Sequence, residues 1–182
     1  MKKPAPVKII TKPAQKVAKA VKKLTKMNKI ASFQIDHRIL SPGLYLSRRD
    51  GDVDTYDIRF KKPNAGAYLS NLELHSVEHT AATVLRNSEI ADRVVYFGPM
   101  GCRTGFYLLV RGVDGETVKK ELDRAFRFIV DECDEMYGQS PVECGNYREL
   151  SLDAAKQCIA AYLSEVDVLS QTLKYPESEE KA

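Results

Sequence analysis

Five residues, His75-Ser76-Val77-Glu78-His79, carry the clearest chemistry in this 182-residue chain. They use two of its three histidines, four positions apart, with a glutamate between them. On an α-helix, positions four apart share a face, so both imidazoles would point the same way and could grip one cation. Glu78, on the same turn, could give or take a proton beside it. A solvated helix that carries two histidines by chance is the plainer reading, since a pattern this short also arises by coincidence. The order H-x-x-E-H also occurs in zinc peptidases of inverted type, so the motif points to a metal and proton transfer and leaves the reaction open.

A catalytic metal needs three protein ligands and one open position. Cys144, in the loop Glu143-Cys144-Gly145-Asn146, is the best third ligand, because a thiolate suits zinc or ferrous iron. A second thiol, Cys102, sits in Gly98-Pro99-Met100-Gly101-Cys102-Arg103-Thr104-Gly105. Its glycines and proline allow a tight turn that approaches a ligand, and the neighbouring Arg103 would favour thiolate. A buried structural cysteine is the usual alternative for a lone thiol. Cys133 and Cys158 fall on apolar stripes of helical period and read as core.

Helices and strands must place these groups. The spacing predicts a helix over 71–87, with Leu72, Val77 and Val84 turned inward. Arg86 lies two turns beyond His79, either as a helix-end cation favoured by the dipole or as a holder of a substrate carboxylate. Ile30, Phe33 and Ile35 alternate imperfectly and predict a strand over 30–36 that runs into His37. Further strands are expected over 44–47, 53–60, 94–97 and 106–110. In 53–60, Asp57 and Arg59 share the face opposite Tyr56, Ile58 and Phe60, as a solvated surface or as the wall of a polar site. Helices are expected over 115–137, with Val118, Leu122, Phe126 and Ile129 inward, and over 152–169. The fold class is α+β: an antiparallel sheet of four to five strands with helices packed on one face.

Composition narrows the function classes. Apolar residues make up 43% and charged residues 29%, as in ordinary globular proteins. No apolar run approaches membrane-spanning length, and residues 1–26 lack the apolar core and small-residue site of a secretory signal. Four cysteines without dense spacing read as free thiols in a cytoplasmic protein. No glycine-rich dinucleotide fingerprint is present. Residues 1–26 hold nine lysines and no acid, so a total of +3 leaves the rest of the chain at −6, with no face suited to nucleic acid. The expected organisation is a lysine-rich, disordered extension over 1–29, a catalytic domain over 30–175 and a charged tail over 176–182. The lysine-rich stretch is a solvated tail, a weak arm for anionic surfaces, or sequence upstream of a natural start at Met27.

Several blocks, taken in order, resemble one family. Ser32-Phe33 with Asp36-His37, Asp57-Ile58-Arg59-Phe60, the His75–His79 motif, Gly98 to Tyr107, and Cys144-Gly145-Asn146 together are similar to the S-ribosylhomocysteine lyase, or LuxS, family of autoinducer-2 synthesis. The resemblance spans residues 30 to about 170. It implies cleavage of S-ribosyl-L-homocysteine to L-homocysteine and 4,5-dihydroxy-2,3-pentanedione by carbonyl migration and β-elimination. It implies one Fe2+ per subunit, with Zn2+ or Co2+ able to substitute, held by His75, His79 and Cys144. Cys102 would be the catalytic thiolate and Glu78 the second acid/base. Ser32, His37 and Arg59 would contact the ribosyl part, and Arg86 would lie near the homocysteine end. The implied assembly is a homodimer with sites at the interface, one subunit lending its Ser, His and Arg group to the partner's metal. Partners in the form of nucleic acid or a membrane are not expected.

The chain departs from the family pattern in three ways. Tyr96 and Gly98 stand where an acidic residue and a serine are common, the segment from His37 to Arg59 is short, and the lysine-rich stretch lies outside the pattern. Two other function classes compete. A metallopeptidase or other metal hydrolase would use Glu78 as the base for metal-bound water and would not need Cys102. A structural-metal module would have a closed fourth position and no turnover.

Overall fold

The computed structural model describes residues 28–177, and its contacts divide the chain into two units, Met1–Gln34 and Ile35–Ala182. The lysine-rich stretch 1–26 and most of the charged tail lie outside the described residues. In the first unit, Ala31–Phe33 forms a 3-10 turn closed by the Phe33 amide on the Ile30 carbonyl at 3.0 Å. The strand expected over 30–36 is therefore absent. Ile30 and Phe33 stand three apart rather than two, a spacing that suits a turn and not a pleat; both are exposed, at 55% and 71%.

In the second unit, four strands form one antiparallel sheet: β1 (Gly43–Asp50), β2 (Val53–Arg59), β3 (Val94–Pro99) and β4 (Gly105–Arg111), in the order β1-β2-β4-β3. The Asp50–Val53 pair closes the first hairpin over Gly51-Asp52, where Gly51 takes a positive φ of 65° that a tight hairpin turn demands. Three helices complete the fold: α1 (Asn71–Leu85), α2 (Gly115–Asp131) and α3 (Leu152–Glu165). The last two stop short of the expected 137 and 169. Beyond each end the apolar repeat continues in irregular chain that still packs inward, as buried Cys133, Val166 and Val168 show.

The core lies between one face of the sheet and the helices. Tyr56, Ile58, Phe60, Phe106 and Leu108 from the sheet meet Val77 and Leu85 of α1, Leu122 and Phe126 of α2, and Ile159 and Tyr162 of α3. Phe60 is the hub: it stacks on Tyr162 at 4.4 Å and meets Phe106 and Phe126 edge-on. Such aromatic pairs add to the area that each ring buries. The Tyr162 hydroxyl, buried with its ring, donates to the Gly43 carbonyl at 3.1 Å.

Helix α1 starts with a capping box. The Ser70 hydroxyl accepts from the Glu73 amide, and the Glu73 carboxylate accepts from the Ser70 amide at 2.7 Å. Leu72, expected to turn inward, is 40% exposed; Leu74, Val77, Ala81 and Leu85 form the buried stripe instead. Because α1 carries the histidine motif, its register sets the site. Ser70→Ala removes the cap and is expected to cost about 1 kcal/mol, read as a lower urea midpoint at an unchanged slope.

Candidate active site

Two clusters of reactive groups emerge, and each is assembled from distant stretches of chain. The first gathers on α1. His75 and His79 hold their ring centroids 4.8 Å apart at 86°. The irregular segment between α2 and α3 brings Cys144 to them, with its Sγ 3.3 Å from His75 Nε2. One donor atom from each of His75, His79 and Cys144 lies within 4.8 Å of the others. The 3.3 Å between Cys144 Sγ and His75 Nε2 is a separation that a single tetrahedral cation spans with bonds of about 2.0–2.3 Å.

Backbone carbonyls decide which nitrogens face the cluster. His75 Nδ1 meets the Glu149 carbonyl at 2.9 Å, and His79 Nδ1 meets the Tyr137 carbonyl at 3.0 Å. A carbonyl can only accept, so both Nδ1 atoms carry the proton and both Nε2 atoms offer a lone pair. The Asn146 amide donates to the Cys144 sulfur at 3.3 Å, which orients the sulfur. A donor set of two imidazole nitrogens and one cysteine sulfur is of the kind that zinc or ferrous iron takes, with one coordination position to spare. Glu78 stands half-buried on the same turn, one residue before His79.

The segment that supplies these carbonyls is pinned to α1. The Ser151 amide donates to buried Ser76 Oγ at 2.9 Å, and Gln139 Nε2 donates to the Leu150 carbonyl at 3.2 Å. Gly138 takes a positive φ of 69°, and a Cβ there would stand 2.7 Å from His79 Nδ1. Only glycine lets the chain pass so close to the imidazole that Tyr137 reaches it.

The second cluster surrounds Cys102, an exposed thiol in the turn between β3 and β4. Its Sγ lies 3.0 Å from Thr104 Oγ1 and 3.9 Å from an Arg59 nitrogen, and the same nitrogen donates to Thr104 Oγ1 at 2.5 Å. Gly105 makes this possible: it pairs with Arg59 across β2 and β4, and a Cβ would stand 2.1 Å from the Ile58 carbonyl. The cation at the thiol is thus Arg59, 43 residues away, and not its neighbour Arg103, whose guanidinium lies over the Tyr68 ring at 5.8 Å. Arg59 is buried and forms a close ion pair with buried Asp57. Burial works against the Arg59 charge, but Asp57 more than offsets it and holds the guanidinium above its ordinary pKa. Burial likewise pushes Asp57 up, opposed by Arg59 and by the Tyr175 hydroxyl.

His37 joins Cys102, Thr104, Tyr68 and Asn64 around a cleft of about 260 Å3, its Nδ1 2.9 Å from the Ile35 carbonyl. A larger cavity of about 430 Å3 opens between α1 and α2 beside Thr83, Asn87, Glu121, Phe128 and Tyr137, and neither the three donor residues nor Cys102 line it. Arg86 caps α1 and donates to the Val95 carbonyl at 3.2 Å, which leaves it exposed at the helix end. Ser32 belongs to the 3-10 turn of the smaller unit. Cys133 and Cys158 are buried as expected, and burial pushes the Cys158 thiol up to about 12, which makes it inert. Thr104, Gly138 and the two carbonyls were not evident as site residues in the sequence, where the short spacing from Cys102 to Thr104 was the one available signal; Asp57 was marked only through the face of β2 that it shares with Arg59, and that face is buried rather than solvated.

A sheet-and-helix domain with a three-donor group able to hold a metal, and a separate thiol held against a guanidinium, defines a candidate metal-dependent enzyme of acid–base chemistry. The family profile described as S-Ribosylhomocysteinase (LuxS) matches residues 30–172. The S-ribosylhomocysteine lyase of Borreliella afzelii (strain PKo) is 44% identical over 157 residues, covering 82% of this chain and 100% of the relative. That of Clostridium beijerinckii is 41% identical over 158 residues, covering 82% and 99%. That of Desulfotalea psychrophila is 42% identical over 158 residues, again covering 82% and 99%. The chain belongs to the S-ribosylhomocysteinase (LuxS) family. Among the described residues, no helix is long and apolar enough to cross a membrane.

Gly138→Ala forces a methyl group against His79 and is expected to weaken cation binding about ten-fold or more. Titration with cobalt(II) against an unchanged circular dichroism spectrum checks this; equal affinity would mean that Tyr137 does not set the imidazole.

Proposed function

We propose that this chain is an S-ribosylhomocysteine lyase that converts S-ribosyl-L-homocysteine to L-homocysteine and 4,5-dihydroxy-2,3-pentanedione. One observation carries the reading: His75, His79 and Cys144 bring their donor atoms within 4.8 Å of one another, while a different thiol, Cys102, stays outside that group against Arg59. Family membership and the names of relatives more than 40% identical over nearly their whole length support it.

His75, His79 and Cys144 would hold one Fe2+ per subunit, with Zn2+ or Co2+ able to substitute. The bound cation supplies Lewis-acid polarisation of the sugar's oxygens and so acidifies the neighbouring C–H bonds. Cys102, as thiolate beside Arg59, removes a proton from C2 of the open-chain sugar and returns it to C1, and the carbonyl moves from C1 to C2. A second round moves it to C3. Glu78 carries the hydroxyl protons between these steps. With the carbonyl at C3, the proton on C4 is acidic. Its loss breaks the C5–S bond, the electron pair leaves on sulfur, and the homocysteine thiolate takes up a proton. Atoms and electrons balance without an oxidant. Ser32, His37 and Arg59 contact the ribosyl part, and Arg86 serves the homocysteine end.

The working unit is a homodimer in which Ser32, His37 and Arg59 of one subunit meet the partner subunit's metal. Since Cys102 touches Arg59 within one chain, the thiol travels with that group and acts at the partner's cation. Val142, two residues before Cys144, is 94% exposed, and Tyr68 in the thiol cleft is 43% exposed; both are apolar surfaces suited to cover by a second copy.

Cys102→Ala and Glu78→Gln are each expected to abolish homocysteine release while retaining metal. Near-normal turnover by Cys102→Ala would favour a hydrolase and overturn the mechanism. Equal amounts of Cys102→Ala and His79→Ala, each inactive, are expected to recover roughly a quarter of wild-type activity after subunit exchange, because half the dimers then hold one complete site of two. No recovery would place thiol and metal on the same subunit.

A further inference from the structure

We propose that Tyr175, in the segment after α3, is a positioning residue that holds Arg59 against Cys102 by way of Asp57. This rests on the reading of Cys102 as the reactive thiol. The segment runs back along β1: the Leu46 amide donates to the Leu173 carbonyl at 2.8 Å, and Tyr45 and Leu173 form a parallel bridge. Two residues on, the Tyr175 ring stacks on Tyr45 at 4.9 Å and 14°. Its hydroxyl donates to Asp57 Oδ2 at 2.9 Å, the oxygen that also takes Arg59. From there the order is Asp57, Arg59, then Thr104 and Cys102.

The polar face of β2 has few other partners. Asp57 and Arg59 are 1% and 2% exposed, and Asp57 Oδ1 and Arg59 Nε lack a hydrogen-bond partner among the described residues. A buried ion pair this thinly bonded needs outside support to keep one geometry, since removing a partner leaves desolvated charge. The stacked Tyr45–Tyr175 pair supplies it in two ways. The phenol oxygen fixes the carboxylate. The rings keep water off the pair, so the field of Arg59 reaches Cys102 with little screening. Burial and the Asp57 charge keep the Tyr175 phenol protonated, hence a lasting donor. No group of the metal cage takes part.

The test reads charge at Cys102 without substrate. Rates of alkylation at Cys102 by iodoacetate and by iodoacetamide are measured by peptide mapping in full-length protein loaded with cobalt(II). Their ratio reports the positive potential at the sulfur. Arg59→Met is expected to lower the ratio and set its floor. Tyr175→Ala is expected to lower it about three-fold or more towards that floor, with cobalt(II) affinity unchanged, and Tyr175→Phe to lower it by less. A ratio equal to wild type in Tyr175→Ala, or no fall in Arg59→Met, would overturn the proposal. If Tyr175→Ala loses cobalt(II) and fails to fold, Tyr175→Phe decides alone: any fall supports the relay and none refutes it. Lyase turnover plays no part in the readout, so failure here is separable from failure of the lyase reading.

Discussion

Two hydrogen bonds from imidazole to backbone carry the rest of the design. The Tyr137 and Glu149 carbonyls each accept from an Nδ1, and this single constraint fixes the tautomer, the ring orientation and the direction of both Nε2 lone pairs. Placing the carbonyls requires the irregular segment between α2 and α3 to lie along α1, which Ser76 and Gly138 allow. Placing α1 requires its capping box and its apolar stripe on the core. The sheet and helices thus act as a frame that fixes two imidazoles of one helix side by side, and the same segment delivers Cys144 to them.

The Cys102 thiol has different surroundings: a positive charge in place of carbonyl acceptors. Cys102 is exposed, yet the guanidinium beside it is buried in the sheet and tied to Asp57. Charge held in a low-dielectric frame thus acts on an exposed sulfur. The desolvation that this costs is visible in the opposed influences on Asp57, where burial works against two donors.

Much of this was legible in the residues, and the reasons differ by element. The H-x-x-E-H motif could be placed because helical period alone puts His75 and His79 on one face, and the apolar repeats of α2 and α3 marked Phe126 and Cys158 as inward. Pleat alternation in β2 correctly separated Asp57 and Arg59 from Tyr56 and Ile58. Which cation would meet Cys102 was not legible, since a guanidinium 43 residues away arrives only through strand pairing, and the adjacent Arg103 looked the better candidate. The carbonyls of Tyr137 and Glu149 were invisible because every residue has one; only the path of the chain selects them. The stretch 30–36 was read as a strand because three apolar residues outweighed a spacing that suits a turn.

Cobalt(II) loaded in place of the native cation offers a direct view of the ligand set, through the sulfur-to-metal charge-transfer absorption that a bound thiolate produces. One cobalt per chain with that band is expected, abolished by Cys144→Ser and retained by Cys102→Ser. A band that survives loss of Cys144 and vanishes with Cys102 would exchange the roles of the two thiols and contradict the division of labour described above.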